Sequence, residues 1–229
     1  MKHPGPGLRA VVFDLDGTLV DTADDFIPAV QQLRAESDLP PLDPARIRRS
    51  VSNGSRALVR LALALSEGDA AFEPRRQRLL ELYAIELGRH ARLYPGLDTL
   101  LEQLEDAGLG WGIATNKPRA YTLPLLETLG LRLPAGAVIC PDDVQNPKPH
   151  PESLELICAA LDCAPGQGIY VGDHARDIEA GRRAGMHTIA AAYGYIEEGD
   201  DAAHWGADQL ARQSAELLEL VLHAGGSPR

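Results

Sequence analysis

Ala10-Val11-Val12-Phe13-Asp14-Leu15-Asp16-Gly17-Thr18-Leu19-Val20-Asp21-Thr22 is the stretch whose reading decides the fold. Its apolar start predicts a short buried strand with two carboxylates at the carboxyl end. Open α/β sheets bind ligands in the crevice outside strand carboxyl ends. Asp14 and Asp16 repel one another unless a cation or a proton lies between them. Gly17 permits a sharp turn that aims backbone N–H groups at an anion. The stretch thus points to a metal, an anion and a nucleophilic carboxylate, against the plainer alternative of a strand ending in a polar turn. A calcium loop does not fit: it needs Gly sixth and Glu twelfth, whereas Gly17 is fourth from Asp14 and the twelfth residue is Asp25.

Further strands are expected over 110–115, 136–140, 168–172 and 187–192, after a first strand over 9–14. Helix-length segments separate most of them, which is the alternation of a parallel α/β sheet. Helices are expected over 97–108, 150–161, 175–185 and 214–223, and Pro124 should kink or delay one near 118–130. Residues 21 to about 90 read as helical throughout. Leu58, Leu61, Ala62 and Leu65 form one apolar stripe there, and Leu79, Tyr83 and Leu87 a second. Residues 1–7 and 225–229 read as frayed ends.

The 229 residues carry a net charge of −11 without a basic run, which argues against nucleic acid or an anionic membrane as partner. No apolar stretch approaches the ~18 residues of a membrane span, and the amino end lacks a signal peptide's apolar centre. Cys140, Cys158 and Cys163 read as buried thiols of a cytoplasmic protein.

Phe13–Thr22 resembles the first signature of the haloacid-dehalogenase-like superfamily, mostly phosphatases and phosphotransferases. Three further stretches match its remaining motifs in order: Trp111-Gly112-Ile113-Ala114-Thr115-Asn116, Asn146-Pro147-Lys148-Pro149-His150-Pro151, and Ile169-Tyr170-Val171-Gly172-Asp173-His174-Ala175-Arg176-Asp177. Within the superfamily the chain is most similar to phosphoglycolate phosphatases. The stretches ICPDDVQNPKP, GYI and HWGAD also resemble N-acetylmuramic acid 6-phosphate phosphatases.

The resemblance implies a Rossmann-like parallel sheet flanked by helices as a core domain over 1–20 and 91–229, with an inserted helical cap domain over 21–90. It also implies an Mg²⁺-dependent phosphomonoester hydrolase. Asp14 would be the nucleophile that forms an aspartyl phosphate, and Asp16 the acid and then base. Asp14, the Asp16 carbonyl and Asp173 would hold the metal, while Asp177 either orients that shell or joins it. Four converging carboxylates carry four negative charges, of which Mg²⁺ and Lys148 offset three before any phosphate arrives. Thr115 and the Asn116 N–H would bind phosphoryl oxygens. Lys148, in a loop stiffened by Pro147 and Pro149, would bridge Asp14 and phosphate. Without the motif order, Thr115 would read as a helix cap and Lys148 as a solvated side chain. His174 reads equally as a substrate donor or an exposed bystander, and His150 as a residue near a helix start.

Substrate choice is expected of the cap. Gly54 precedes an apolar-striped helix whose amino end favours an anion, and Arg56 or Arg49 offers a bidentate grip on a carboxylate. A helix start followed by surface arginines is the competing interpretation. The expected partner is a small phosphorylated acid or sugar acid, such as phosphoglycolate or N-acetylmuramic acid 6-phosphate. A phosphosugar mutase shares all four motifs, and a non-catalytic binding protein on this fold is the third possibility. Oligomeric state is open.

Overall fold

The computed structural model describes residues 7–134 and 136–224. Of the ends read as frayed, residues 1–6 and 225–229 lie outside the described residues. The strands are β1 (Ala10–Phe13), β2 (Val20–Asp21), β3 (Arg92–Leu93), β4 (Gly110–Ala114), β5 (Val138–Ile139), β6 (Gly168–Gly172), β7 (His187–Ala191) and β8 (Gln209–Ala211). The helices are α1 (Ala23–Ala35), α2 (Pro44–Arg49), α3 (Gly54–Leu63), α4 (Phe72–Glu86), α5 (Leu97–Asp106), α6 (Arg119–Thr128), α7 (Glu152–Ala160), α8 (Ala175–Ala184) and α9 (Leu217–Ala224).

Six strands form one parallel sheet in the order β5-β4-β1-β6-β7-β8. β1 sits inside it because both its faces are covered: Val11 and Phe13 join one apolar cluster and Val12 another. A strand buried on both sides reads as an unbroken apolar run rather than an alternation. From β1 the chain goes to β4 on one flank and later to β6 on the other. The residues that follow these three strands therefore converge at a topological switch point, where such sheets bind ligands.

The expected strands and helices are present with shifts at their ends, and three expectations are corrected. The stretch read as helical throughout is interrupted: it holds four helices, with breaks at 36–43, 50–53 and 64–71. Pro44 opens α2 with Asp43 capping Ala45 N–H, and Ala64 closes α3 in the left-handed conformation. Pro124 does not delay α6, which begins at Arg119 and carries Pro124 within it on the way to Thr128. The helix expected over 214–223 starts as a 3₁₀ turn, Ser214–Glu216, before α9. Three strands were not anticipated. β8 extends the sheet edge, and β2 pairs antiparallel with β3 where the chain leaves and rejoins the sheet body. Two-residue strands are too short to show any periodicity.

Helices α1 to α4 bury their own apolar cluster, including Phe26, Leu33, Ile47, Leu58, Phe72, Leu79 and Tyr83. Phe26 and Tyr83 stack with ring centroids 3.8 Å apart, which fixes α1 against α4. Leu58 and Ala62 of the first predicted stripe are buried, and Leu61 and Leu65 pack against the same cluster. The buried carboxylate of Asp25 accepts N–H groups of Gly88, His90 and Ala91 at 2.7, 2.7 and 3.1 Å. It ties the returning chain to α1. None of the described helices is long and apolar enough to cross a membrane.

Candidate active site

The carboxyl edge of the sheet gathers Asp14 after β1, Thr115 after β4 and Asp173 after β6. Each leaves its strand while the backbone is still held: Asp14 N–H donates to Val171 at 2.8 Å and Thr115 N–H to Ile139 at 3.0 Å. Asp177 comes from the first turn of α8, and all three aspartates are buried. Two glycines make this convergence possible. A Cβ on Gly17, whose φ is +80°, would lie 2.1 Å from Asp173 Oδ2, and one on Gly172 would lie 2.3 Å from Asp177 Cβ. Any larger residue at either place would push a carboxylate out of position.

Lys148 enters from the loop after β5 and is almost wholly buried. Its Nζ lies 2.9 Å from Asp14 Oδ1 and 2.8 Å from Asp177 Oδ1, and it donates to the Ala114 carbonyl and Tyr170 hydroxyl at 2.9 and 2.8 Å. Burial works against the ammonium charge, but Asp14 and Asp177 outweigh it and its pKa rises. The loop is pinned by Asn116, whose side chain donates to the Lys148 carbonyl at 3.0 Å and accepts its N–H at 3.2 Å. The Asn116 side chain is thus committed to the loop, leaving its backbone N–H for a ligand.

Asp14, Asp173 and Asp177 each offer a carboxylate oxygen, and these atoms lie within 4.8 Å of one another. Asp177 Oδ2 is buried without a hydrogen-bond partner, and Asp14 Oδ1 meets Lys148 only as an ion pair, without an aligned donor. Asp173 accepts Tyr195 N–H at 2.8 Å and hydroxyls of Ser52 and Thr18 at 3.0 and 3.3 Å. Burial, then repulsion from Asp14 and Asp177, still pushes its pKa up to about 8. Crowded carboxylates with an orphaned oxygen are the arrangement a hard divalent cation relieves, and the donor set is all oxygen. These residues fit such an ion. No carboxylate oxygen of Asp16 belongs to the cluster.

Asp16 turns elsewhere. Its Oδ1 accepts Thr22 Oγ1 at 2.5 Å and Lys117 Nζ at 2.9 Å. Lys117 was not anticipated from sequence, although it directly follows the Thr115-Asn116 motif. It is buried, donates to Tyr83 of α4 at 2.6 Å and lies over the Tyr83 and Phe26 rings at 4.7 and 5.1 Å. Burial disfavours its charge, yet Asp16 and Tyr83 raise its pKa. One sequence clue existed, a lysine two residues after the strand-terminal Thr115, but its partners come from 16 and 83. Thr115 Oγ1 accepts Lys117 N–H at 3.1 Å, the local turn bond that a strand-end threonine commonly makes, and its own proton remains available to a ligand.

Asp14, Asp16, Thr115, Asn116, Lys117 and Lys148 face a cleft of about 270 Å³ between the sheet edge and helices α1, α3 and α4. Gly54 lines it, with Ser52, Asn53 and Ser55. Arg56 does not: it pairs with Glu67 and Glu73 at 3.1 and 2.9 Å and lies half exposed over Phe72. Its place in the first turn of α3 carries it toward the acidic residues flanking the start of α4. Arg49 lines a separate groove with Arg46 and Glu197. The arginines at the cleft are instead Arg76 and Arg176. His174 caps α8 by accepting Arg176 N–H at 3.2 Å and lies 3.3 Å from Asn53 Oδ1. Burial, then Arg176, lowers its pKa to about 4. His150 sits outside, accepting Glu152 N–H at 3.3 Å.

Residues 11–191 match the family of haloacid dehalogenase-like hydrolases. This chain belongs to that family. It is 44% identical over 214 residues to the N-acetylmuramic acid 6-phosphate phosphatase of Pseudomonas aeruginosa, covering 93% of this chain and 95% of the relative. It is 41% identical over 211 residues to a phosphoglycolate phosphatase of Xanthomonas campestris pv. campestris, covering 92% and 95%. A crystal structure described as a predicted phosphoglycolate phosphatase from Haemophilus somnus 129PT superimposes with a TM-score of 0.82 at 26% identity, covering 93% of this chain and 98% of that one.

Proposed function

We propose that this chain is a phosphomonoesterase acting on a small acidic phosphate ester, with Asp14 as nucleophile. The observation that carries the reading is Asp14 itself: a carboxylate that faces the cleft, backed by Lys148 at 2.9 Å, in an otherwise buried site. In the first step an Asp14 oxygen bonds to phosphorus as the ester P–O bond breaks, and the departing alkoxide takes a proton from Asp16. In the second, Asp16 takes a proton from water as that water attacks the phosphoryl group, releasing phosphate and restoring Asp14. Asp16 suits both roles because Thr22 and Lys117 occupy only Oδ1 and leave Oδ2 to carry the proton. Thr115 Oγ1–H and the Asn116 N–H are placed to hold phosphoryl oxygens.

Mg²⁺ would be held by Asp14, Asp173 and Asp177, with the Asp16 carbonyl as the further expected ligand. When bound it supplies positive charge against the phosphate dianion, which is worth several kcal/mol of charge stabilisation. Residues of α1, α3, α4 and the turn before α3 form one wall of the cleft, and the four helices act in this reading as a cap, inserted over roughly 21–90 between the first motif and the rest of the core. The three free thiols fit a reducing, cytoplasmic setting. The test is phosphate release from p-nitrophenyl phosphate, phosphoglycolate, N-acetylmuramic acid 6-phosphate and glucose phosphates with Mg²⁺. Release of phosphate supports the reading. A trapped bisphosphate or an isomerised sugar phosphate would make the protein a mutase, and no turnover of any ester would end the proposal.

A further inference from the structure

The cleft carries four cationic side chains, Arg76, Lys117, Lys148 and Arg176, against two lining carboxylates, Asp14 and Asp16, in a chain of net charge −11. Most of these cations are already engaged. Lys148 is shared by Asp14 and Asp177, Lys117 is bound to Asp16, and Arg76 donates its Nε to Glu73 at 2.8 Å. Arg176 differs. It forms no ion pair among the described residues, although its charge adds to burial in lowering the pKa of His174. One of its terminal nitrogens donates to the Ser52 carbonyl, in the loop before α3. That anchor fixes the guanidinium across the cleft while leaving other N–H groups free. A pre-positioned planar fork without a carboxylate is matched to a carboxylate brought by a ligand.

We infer that Arg176 selects substrates by binding a carboxylate on the leaving-group portion of the ester. The inference rests on the phosphatase reading and assigns the residue that distinguishes the acid group of its small acidic ester from the uncharged parts of other esters. It replaces the role expected of Arg56, whose guanidinium is held by Glu67 and Glu73 away from the cleft. A purely phosphate-holding role for Arg176 is the competing possibility. It differs in outcome because it would act on every ester alike.

The test uses a matched pair of esters, N-acetylmuramic acid 6-phosphate and N-acetylglucosamine 6-phosphate, which differ by the lactyl ether that carries the carboxylate. The full-length wild-type protein with Mg²⁺ should favour the acid by about tenfold or more in kcat/KM, the size of a charge-assisted hydrogen-bonded contact. Arg176→Gln should bring the ratio to within about threefold, chiefly through KM for the acid, and Arg176→Lys should retain part of the preference. Wild-type turnover of both esters without preference, or a proportional loss on both in Arg176→Gln, overturns the carboxylate assignment and leaves the phosphatase reading standing. Release of phosphate from no ester at all would remove that reading and this inference with it. The ratio is unaffected by partial unfolding, because lost active protein lowers both rates equally.

Discussion

The two walls of the cleft are built by different physics. On the sheet side, Asp14, Thr115 and Asp173 each follow directly on a buried strand, so ladder hydrogen bonds place them. On the helical side, Ser52, Arg76 and Tyr83 project from a loop and a helix whose positions depend on an apolar cluster of their own. The first wall holds charges in place by backbone; the second holds shape by packing. Lys117 joins them, bound at once to Asp16 of the sheet side and Tyr83 of the helical side. The difference teaches where chemistry and where selection should reside.

Removing the central group of the sheet wall should have the largest effect. Asp14→Asn should lower turnover of every ester by about 10⁴-fold or more, on the scale of losing a nucleophile, with thermal unfolding little changed. Activity within tenfold of wild type would dissolve the distinction between the walls.

Lys117→Met tests the joint between them. Rates with alkyl phosphates, whose leaving groups need a proton, should fall about 10- to 100-fold, within the range of general acid catalysis. p-Nitrophenyl phosphate should lose much less, since its leaving group departs as the anion. Equal losses would show that Lys117 serves only to pack Phe26 and Tyr83.

Stability against pH reads the sheet wall by itself, without substrate. In the metal-free protein Asp173 holds its proton up to about pH 8, whereas the unfolded chain releases it near 4. The folded state therefore binds the extra proton, and stability falls as pH rises towards 8, by up to about 1.4 kcal/mol per pH unit. His174 runs the other way: its pKa of about 4 means that stability falls as pH drops below 6.5. Unfolding free energy should thus decline between about pH 6.5 and 8, and less steeply between 4 and 6.5, where His174 opposes Asp173 and the likewise raised Asp177. Added Mg²⁺ should abolish the decline by taking the proton's place. A decline that persists in saturating Mg²⁺ would argue against the carboxylate cluster as the metal site.

The smallest effect belongs to the outer face of the helices. Arg56→Ala removes exposed ion pairs to Glu67 and Glu73 and should change stability by less than about 1 kcal/mol. Selectivity between carboxylated and plain esters should stay the same, and a specific loss on the acid would return Arg56 to the cleft.

The sheet wall was legible in the sequence because part of its signal is local, an apolar run and then a carboxylate or hydroxyl, and because the order of the family motifs singled out Thr115 and Lys148, the latter nine residues beyond β5. Buried parallel strands write themselves as such runs, and Asp14, Thr115, Lys148, Asp173 and Asp177 could be found together. The helical wall was not. The apolar stripe through Leu58 marks the inner face of α3, but no local rule tells whether Arg56 or Arg176 faces the cleft. That choice is made by Glu67 and Glu73, across the turn from α3 to α4, on one side and by the Ser52 carbonyl, 124 positions away, on the other. The Lys117–Asp16 pair was hidden for the same reason, spanning 101 positions. The short ribbon of Val20–Asp21 with Arg92–Leu93 had no periodicity to reveal it.

The most direct measurement is rapid acid quench of the protein during turnover of its best ester, followed by peptide mapping. The account predicts a phosphoryl adduct on the peptide bearing Asp14, convertible by borohydride to homoserine at that position and absent from Asp14→Asn. A covalent adduct confined to another residue, or net inversion at phosphorus with a chiral phosphate ester, would contradict it.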